Sequence, residues 1–415
     1  MKITDQNINY YLNIIKSNWL EAPEDFPDFL VEIPPKAKEE NEQYLQKKLE
    51  ELRVQINSYT KLPIGRKRWI SKTIALMKDI LYHEKVIGIH NIVNPSSSDA
   101  FFNELMDFLR KARDFAPDLP FEDIGQAIRN YIVYRMFKEM HHVEVGFSQA
   151  GFGYSMLYPF TDNYIDNDRI TENEKQSYNQ LIKDQLQGKT VKPASIHHRK
   201  TCELLQAIET EYGGDRDSSV FTLLLMMLDA QAKSLDQQNN QIQLTPEERL
   251  NISIYKGGIS VLIDRFLVKK EVTEEDMVFY LGMGLFLQLA DDLQDIGTDS
   301  QQGWQTIFTV NLHPDQEEVI VNKLLHFIHN IMASYRSENE VFKNFLLSNC
   351  YQLIYTSLVG SSKYFSWDYR NQIEKYLPVT GTFLSQFKRD LLWKHDTSQQ
   401  KNYRNILDAI LSFQH

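Results

Sequence analysis

The sequence predicts an all-α fold, and three observations carry that prediction. Turn formers are scarce: 17 Gly and 13 Pro in 415 residues, about 7% against a usual ~12%, too few for an all-β chain. Proline is absent between Pro193 and Pro246, between Pro246 and Pro314, and between Pro314 and Pro378. Interior proline breaks helices, so these intervals have room for long ones. Apolar residues also recur every three or four positions, as one buried helix face requires.

The elements follow in order. Over 36–59, Tyr44, Leu45, Leu49, Leu52 and Ile56 mark a helix face. The same period predicts helices over 66–92, 99–115, 121–147 and 317–334. Pro95-Ser-Ser-Ser98 reads as a loop before a helix start near Asp99, setting off an N-terminal helical portion, 1–95. Thr171-x-x-Glu174 and Thr245-Pro-Glu-Glu248 are capping boxes, the second with proline at the first helical position. Thr273 starts another helix, with Glu274, Glu275 and Asp276 where the helix dipole favours acids. Gly297 is the expected stop of that helix. There is no internal repeat and no long linker, so 1–415 reads as a single all-α domain.

Charge and cysteine content narrow the function. Lys and Arg number 45 against 56 Asp and Glu, a net charge of −11. A generic nucleic-acid binder shows a basic excess instead. Cys202 and Cys350 offer neither a disulfide framework nor zinc-ligand spacing, which fits a reduced compartment. The longest apolar run, Phe221 to Leu228, is far short of the ~20 residues of a membrane span. The N-terminus lacks the apolar core of a signal peptide. The expectation is a cytoplasmic protein without a transmembrane segment; a homodimer is left open.

The most informative stretch is MVFYLGMGLFLQLADDLQDIGTD, 277–299. It is apolar on nearly every face up to Ala290 except at Gln288, which marks a buried helix. It then delivers Asp291, Asp292, Asp295 and Asp299. Gly284, Gln288, Asp291 and Asp295 share one helical face. Burying carboxylates costs several kcal/mol unless cations or donors compensate. Mg²⁺ takes carboxylate oxygens and leaves room for phosphate oxygens. A second cluster, Asp162 and Asp166, ends another apolar segment, in which Pro159 is an expected interruption. Solvated surface acids at two helix ends are the plain alternative.

LQLADDLQDIGTD (287–299) and Asp162-Asn-Tyr-Ile-Asp166-Asn167 together resemble the class I isoprenoid synthase superfamily. The first acidic motif is most similar to that of large bacterial terpene synthases of the tetraprenyl-β-curcumene synthase type. The resemblance covers about 150–300. It implies a helical bundle around a central cavity and three Mg²⁺ ions with bound diphosphate. Asp162, Asp166, Asp291, Asp295 and Asp299 would be the metal ligands, and Lys256, Arg249 and Gln288 would bind diphosphate. Whether Asp291 or Asp292 faces the metals stays open. The implied activity is Mg²⁺-dependent ionisation of one prenyl diphosphate, C20 or longer, with the carbocation quenched or cyclised to a terpene.

Other readings remain. A trans-prenyltransferase is disfavoured by Asn163 and by Gly65-Arg66-Lys67-Arg68, a poor echo of an isopentenyl-diphosphate segment. A head-to-head squalene- or phytoene-type synthase fits the second motif. A helical scaffold or a degenerate member of the fold is the non-enzyme alternative. The cavity should be apolar and aromatic, with Tyr154, Met156, Tyr158, Phe160, Phe221, Met226 and Phe286 eligible. Lys256-Gly257-Gly258 reads either as close helix packing or as a break near substrate. His141-His142-Val143-Glu144 lacks zinc spacing and reads as an ordinary helix face; His197-His198-Arg199-Lys200 reads as a solvated basic segment. No P-loop, G-x-S-x-G or G-x-G-x-x-G occurs.

Overall fold

The structure, a computed structural model, describes all residues except 1, 61, 93–94, 145, 166, 168, 213–217, 240, 310–312, 393–405, 407 and 412–415. Among the described residues the regular structure is all helical, with no strand. The first five helices are α1 (Asp5–Leu20), α2 (Pro35–Asn57), α3 (Pro63–His83), α4 (Pro95–Phe115) and α5 (Phe121–Met140). Then come α6 (Gln149–Ile165), α7 (Glu172–Leu186), α8 (Ile196–Glu211), α9 (Ser219–Ser234) and α10 (Pro246–Val268). The chain continues through α11 (Glu274–Gln302), α12 (Pro314–Ser334), α13 (Glu340–Gly360), α14 (Trp367–Glu374) and α15 (Gly381–Leu392).

The starts follow side-chain chemistry. Thr171, Thr245 and Thr273 cap α7, α10 and α11, each as a reciprocal box with the acid three residues on. Several ends differ from the sequence reading. Pro95-Ser-Ser-Ser98 forms the first turn of α4, where proline costs no hydrogen bond. Helix α5 stops at Met140, because His142 turns to a φ of 51°. Helix α6 continues through Pro159. Gly297 does not stop α11; the left-handed terminus falls on Gly303, at φ 74°. Asp291, Asp295 and Asp299 therefore lie within one helix.

Helix α10 is the centre of the bundle. It packs against α11, α9, α5 and α1, and is buried on most faces. The main core runs from Ile8 and Tyr11 of α1 to Ile373 of α14. A smaller core joins Trp69 and Ile70 of α3, Phe102 of α4 and Ile406 and Ile410 near the C-terminus.

Candidate functional site

The α10–α11 contact sets the geometry. A Cβ on Gly257 would lie 2.3 Å from the Gly284 carbonyl oxygen, and one on Gly258 would meet Leu281 at 3.0 Å. As one number rises the other falls, so the helices are antiparallel. The glycines serve close packing within a continuous α10, not a break. The first turns of α10 thus lie beside the last turns of α11.

Helices α5 and α6 make the matching pair. Asn130 donates to the Ser155 hydroxyl at 3.3 Å, and Asp123 bonds Asn163. They too run antiparallel, so the start of α5 lies beside the Asp162 end of α6. Arg129 of α5 joins the pairs, because its charge lowers both Asp291 and Asp295. Gln231 near the end of α9 donates to Asp162. The two acid-bearing segments therefore occupy one end of the bundle. Asp295, Lys256 and Arg129 are the charges that shift Asp291, and Arg129 is the charge that shifts Asp295.

The α11 acids crowd one another. Burial raises Asp291, and Asp295 adds to this; Lys256 and Arg129 oppose it. Asp291 is exposed, yet the protein packed around it desolvates its carboxyl. Asp295 is exposed and is also raised by desolvation, which Gln294 and Arg129 counter. Buried Asp299 is pushed up to about 6 by desolvation, then by Asp295 and Asp291. Asp292 faces inward: burial pushes it up to about 7, and it accepts one bond from Gln288 Nε2 at 2.9 Å. Its Oδ2 has no partner. Gln288 is thus held by Asp292.

The remaining predicted residues divide. Lys256 is half-buried, and its charge lowers Asp291 and Asp292. Arg249 is buried, and its guanidinium donates to the Leu244 carbonyl at 2.5 Å. No carboxylate shifts it. Asp166 lies outside the described residues. Sequence reasoning missed Arg129 and Gln231, since neither belongs to a motif and only packing brings them to the acids.

Below Asp162 lies a cavity of 90 Å³ between α5 to α10. Tyr154, Tyr158 and Thr161 line one side, and Leu224, Met227 and Gln231 the other. Of the aromatic and methionine residues proposed for this role, Tyr154 and Tyr158 line it. Met156, Phe160, Phe221 and Phe286 are packed into the core, and Met226 borders a separate groove against α1.

Two histidine segments differ from the sequence reading. His197 stacks on Phe160 and Tyr164 and donates to the Phe160 carbonyl at 3.0 Å. His198 is buried and pairs with the Tyr164 hydroxyl at 3.3 Å. Burial lowers both, so they brace α6 as neutral rings rather than forming a solvated basic segment. His141 ends α5 instead of sitting on its face, and bonds the Tyr280 hydroxyl at 2.7 Å.

Among the described residues, no three His, Cys, Asp or Glu side chains converge closely enough to hold a metal ion by themselves. The carboxylates on α11 still suit a hard cation. Their oxygens are the right donors, their mutual repulsion is only partly offset, and the Asp292 oxygen is unpaired. No helix of the described residues is long and apolar enough to cross a membrane. Comparison with protein-family models, curated proteins and solved structures finds no match.

Proposed function

We propose that the chain is a Mg²⁺-dependent class I terpene synthase that ionises a single prenyl diphosphate. One observation carries this reading. Asp162 of α6 and Asp291 and Asp295 of α11 share one end of a helical bundle, with the cations Lys256 and Arg129 beside the α11 acids and an apolar cavity beneath Asp162.

Asp162, Asp291, Asp295 and Asp299 would hold Mg²⁺ together with diphosphate oxygens. The metal, when bound, supplies positive charge that stabilises the leaving diphosphate. Lys256 and Arg129 bind phosphate oxygens and add to that field. Leu157, Leu224 and Met227 keep water from the hydrocarbon. A 90 Å³ space holds only a handful of water-sized spheres. A C20 or longer chain therefore requires the cavity to open, or its tail to reach past α9.

The test is purified protein with Mg²⁺ and C10 to C35 prenyl diphosphates singly, then with isopentenyl diphosphate, with products identified by mass spectrometry. The expected result is inorganic diphosphate and a terpene hydrocarbon or alcohol from one substrate. Growth by five-carbon units would assign an elongating transferase. Coupling of two identical substrates would assign a head-to-head synthase. No turnover of any substrate would favour the scaffold reading.

A further inference from the structure

One basic segment plays no part in the site described above. From Lys61 to Lys78 the sequence holds six Lys and Arg residues and no acid, in a chain of net charge −11. Gly65-Arg66-Lys67-Arg68 falls in the first turns of α3. Lys78 pairs with Asp99 at 2.5 Å. Lys67, Arg68 and Lys72 are exposed.

The packing of α3 fixes which way these charges point. Trp69 and Ile70 are buried in the smaller core. The Trp69 indole donates to the Gln55 carbonyl at 2.6 Å. Gln55 Nε2 donates back to the Trp69 carbonyl at 3.0 Å and to the Thr73 hydroxyl at 2.9 Å. Helix α3 therefore cannot turn about its axis without breaking its contact with α2. Ile64, Lys67, Arg68, Ser71 and Lys72 share the opposite face by helical spacing, and each is exposed.

Apolar groups crown the same end. Ile64 is 90% exposed and Leu62 73%. Val54, also exposed, lies in the last turns of α2, which a short connection joins to this end of α3. Single exposed apolar residues are ordinary; three at one tip beside a basic face mark an interaction surface. A nucleic acid would engage the charges and leave the aliphatic tip in water. A bilayer with anionic headgroups uses both, since its interface takes apolar side chains and its surface attracts Lys and Arg.

We propose that the α2–α3 tip docks the protein on anionic phospholipid membranes. Leu62 and Ile64 enter the interface, and Lys67, Arg68 and Lys72 meet the headgroups. The inference does not depend on the terpene synthase reading, and its test needs no turnover.

Co-sedimentation of the full chain with vesicles tests this. The vesicles are phosphatidylcholine alone, or phosphatidylcholine with about one quarter phosphatidylserine. Wild type is expected to bind the anionic vesicles only and to be released as salt screens the charges. The combined Lys67→Glu, Arg68→Glu and Lys72→Glu variant should bind roughly 100-fold more weakly or worse. The Leu62→Ser and Ile64→Ser double variant should bind roughly 10-fold more weakly, because less apolar surface leaves water. Circular dichroism checks that both are folded; should the charge reversal not fold, Gln replaces Glu at the same positions. Absence of wild-type binding to the anionic vesicles overturns the inference, as does binding that neither variant weakens. Loss in the charge variant alone would assign a phosphate-binding face that leaves the tip in water, and would overturn the membrane assignment.

Discussion

Gly257 and Gly284 meet backbone to backbone: a Cβ on Gly284 would lie 2.1 Å from the Gly257 carbonyl oxygen. Neither atom belongs to a flexible side chain, so α10 and α11 must separate if either residue gains a methyl. Overpacking costs ~1–3 kcal/mol, and rigid neighbours place this case toward the upper end. Gly284→Ala should lower the melting temperature by several degrees, read by circular dichroism. It should also lower prenyl diphosphate turnover, since Lys256 and Asp291 sit on the two helices being pushed apart. An unchanged melting temperature would contradict the contact.

The α11 carboxyls make stability depend on pH. Asp292 and Asp299 titrate at about 7 and about 6 when folded, against an ordinary ~3.9 for the unfolded chain. Between these values the folded protein binds more protons than the unfolded one, so stability falls as pH rises from about 4 to about 7. His141, lowered to about 4 mainly by burial, works in the opposite direction. The difference between proteins is therefore the useful quantity. In EDTA, wild type should lose more melting temperature across pH 4.5 to 7.5 than Asp292→Asn. Mg²⁺ with inorganic diphosphate should shrink the wild-type loss. Identical profiles would remove Asp292 from the account.

The all-α class, the three threonine caps and the buried character of α11 were legible, because periodicity and capping are local properties. Helix ends were less so. Gly297 looks like a terminator in sequence, yet α11 continues to the left-handed turn at Gly303. Pro159 looks like a break, yet α6 runs past it, with the Thr161 hydroxyl donating to the Leu157 carbonyl at 2.9 Å. Of the candidate site, the grouping of the α11 acids was readable from helical spacing, whereas Lys256 was an expectation from the resemblance. Arg129 was not, because its relation to Asp291 depends on how α5 crosses the bundle. Gln231 and Asp162 are likewise far apart in the chain.

Arg129 and Lys256 should act on one anion. Arg129 is exposed and Lys256 half-buried, so stability should change little on removal. A charge-assisted hydrogen bond contributes ~1.5–3 kcal/mol, so Arg129→Ala and Lys256→Ala should each reduce kcat/KM by roughly 10–100-fold. The double variant should lose less than the product of the two. Asp295→Asn should abolish Mg²⁺-dependent turnover while keeping the helical spectrum, because Asn preserves shape without charge. Steady-state kinetics over a Mg²⁺ series reads all four variants, and full activity in Asp295→Asn would contradict the metal assignment.

Substrate length should follow the cavity wall. Met227 of α9 borders the space opposite Tyr154 and Tyr158, and its flexible side chain fills irregular gaps. Truncation to Ala enlarges a 90 Å³ cavity by removing atoms from its lining. The variant should therefore move the kcat/KM optimum toward the next longer prenyl diphosphate. Met227→Trp should move it toward a shorter one. A large-to-small change at a buried methionine costs ~2–5 kcal/mol when the site cannot relax. Both variants are therefore compared at a temperature where circular dichroism shows them folded. Competition between C10, C15, C20 and C35 substrates in one reaction gives the ratio of kcat/KM values directly. Opposite shifts for Ala and Trp would tie chain length to this wall. The same preference in all three proteins would show that the hydrocarbon lies elsewhere in the bundle.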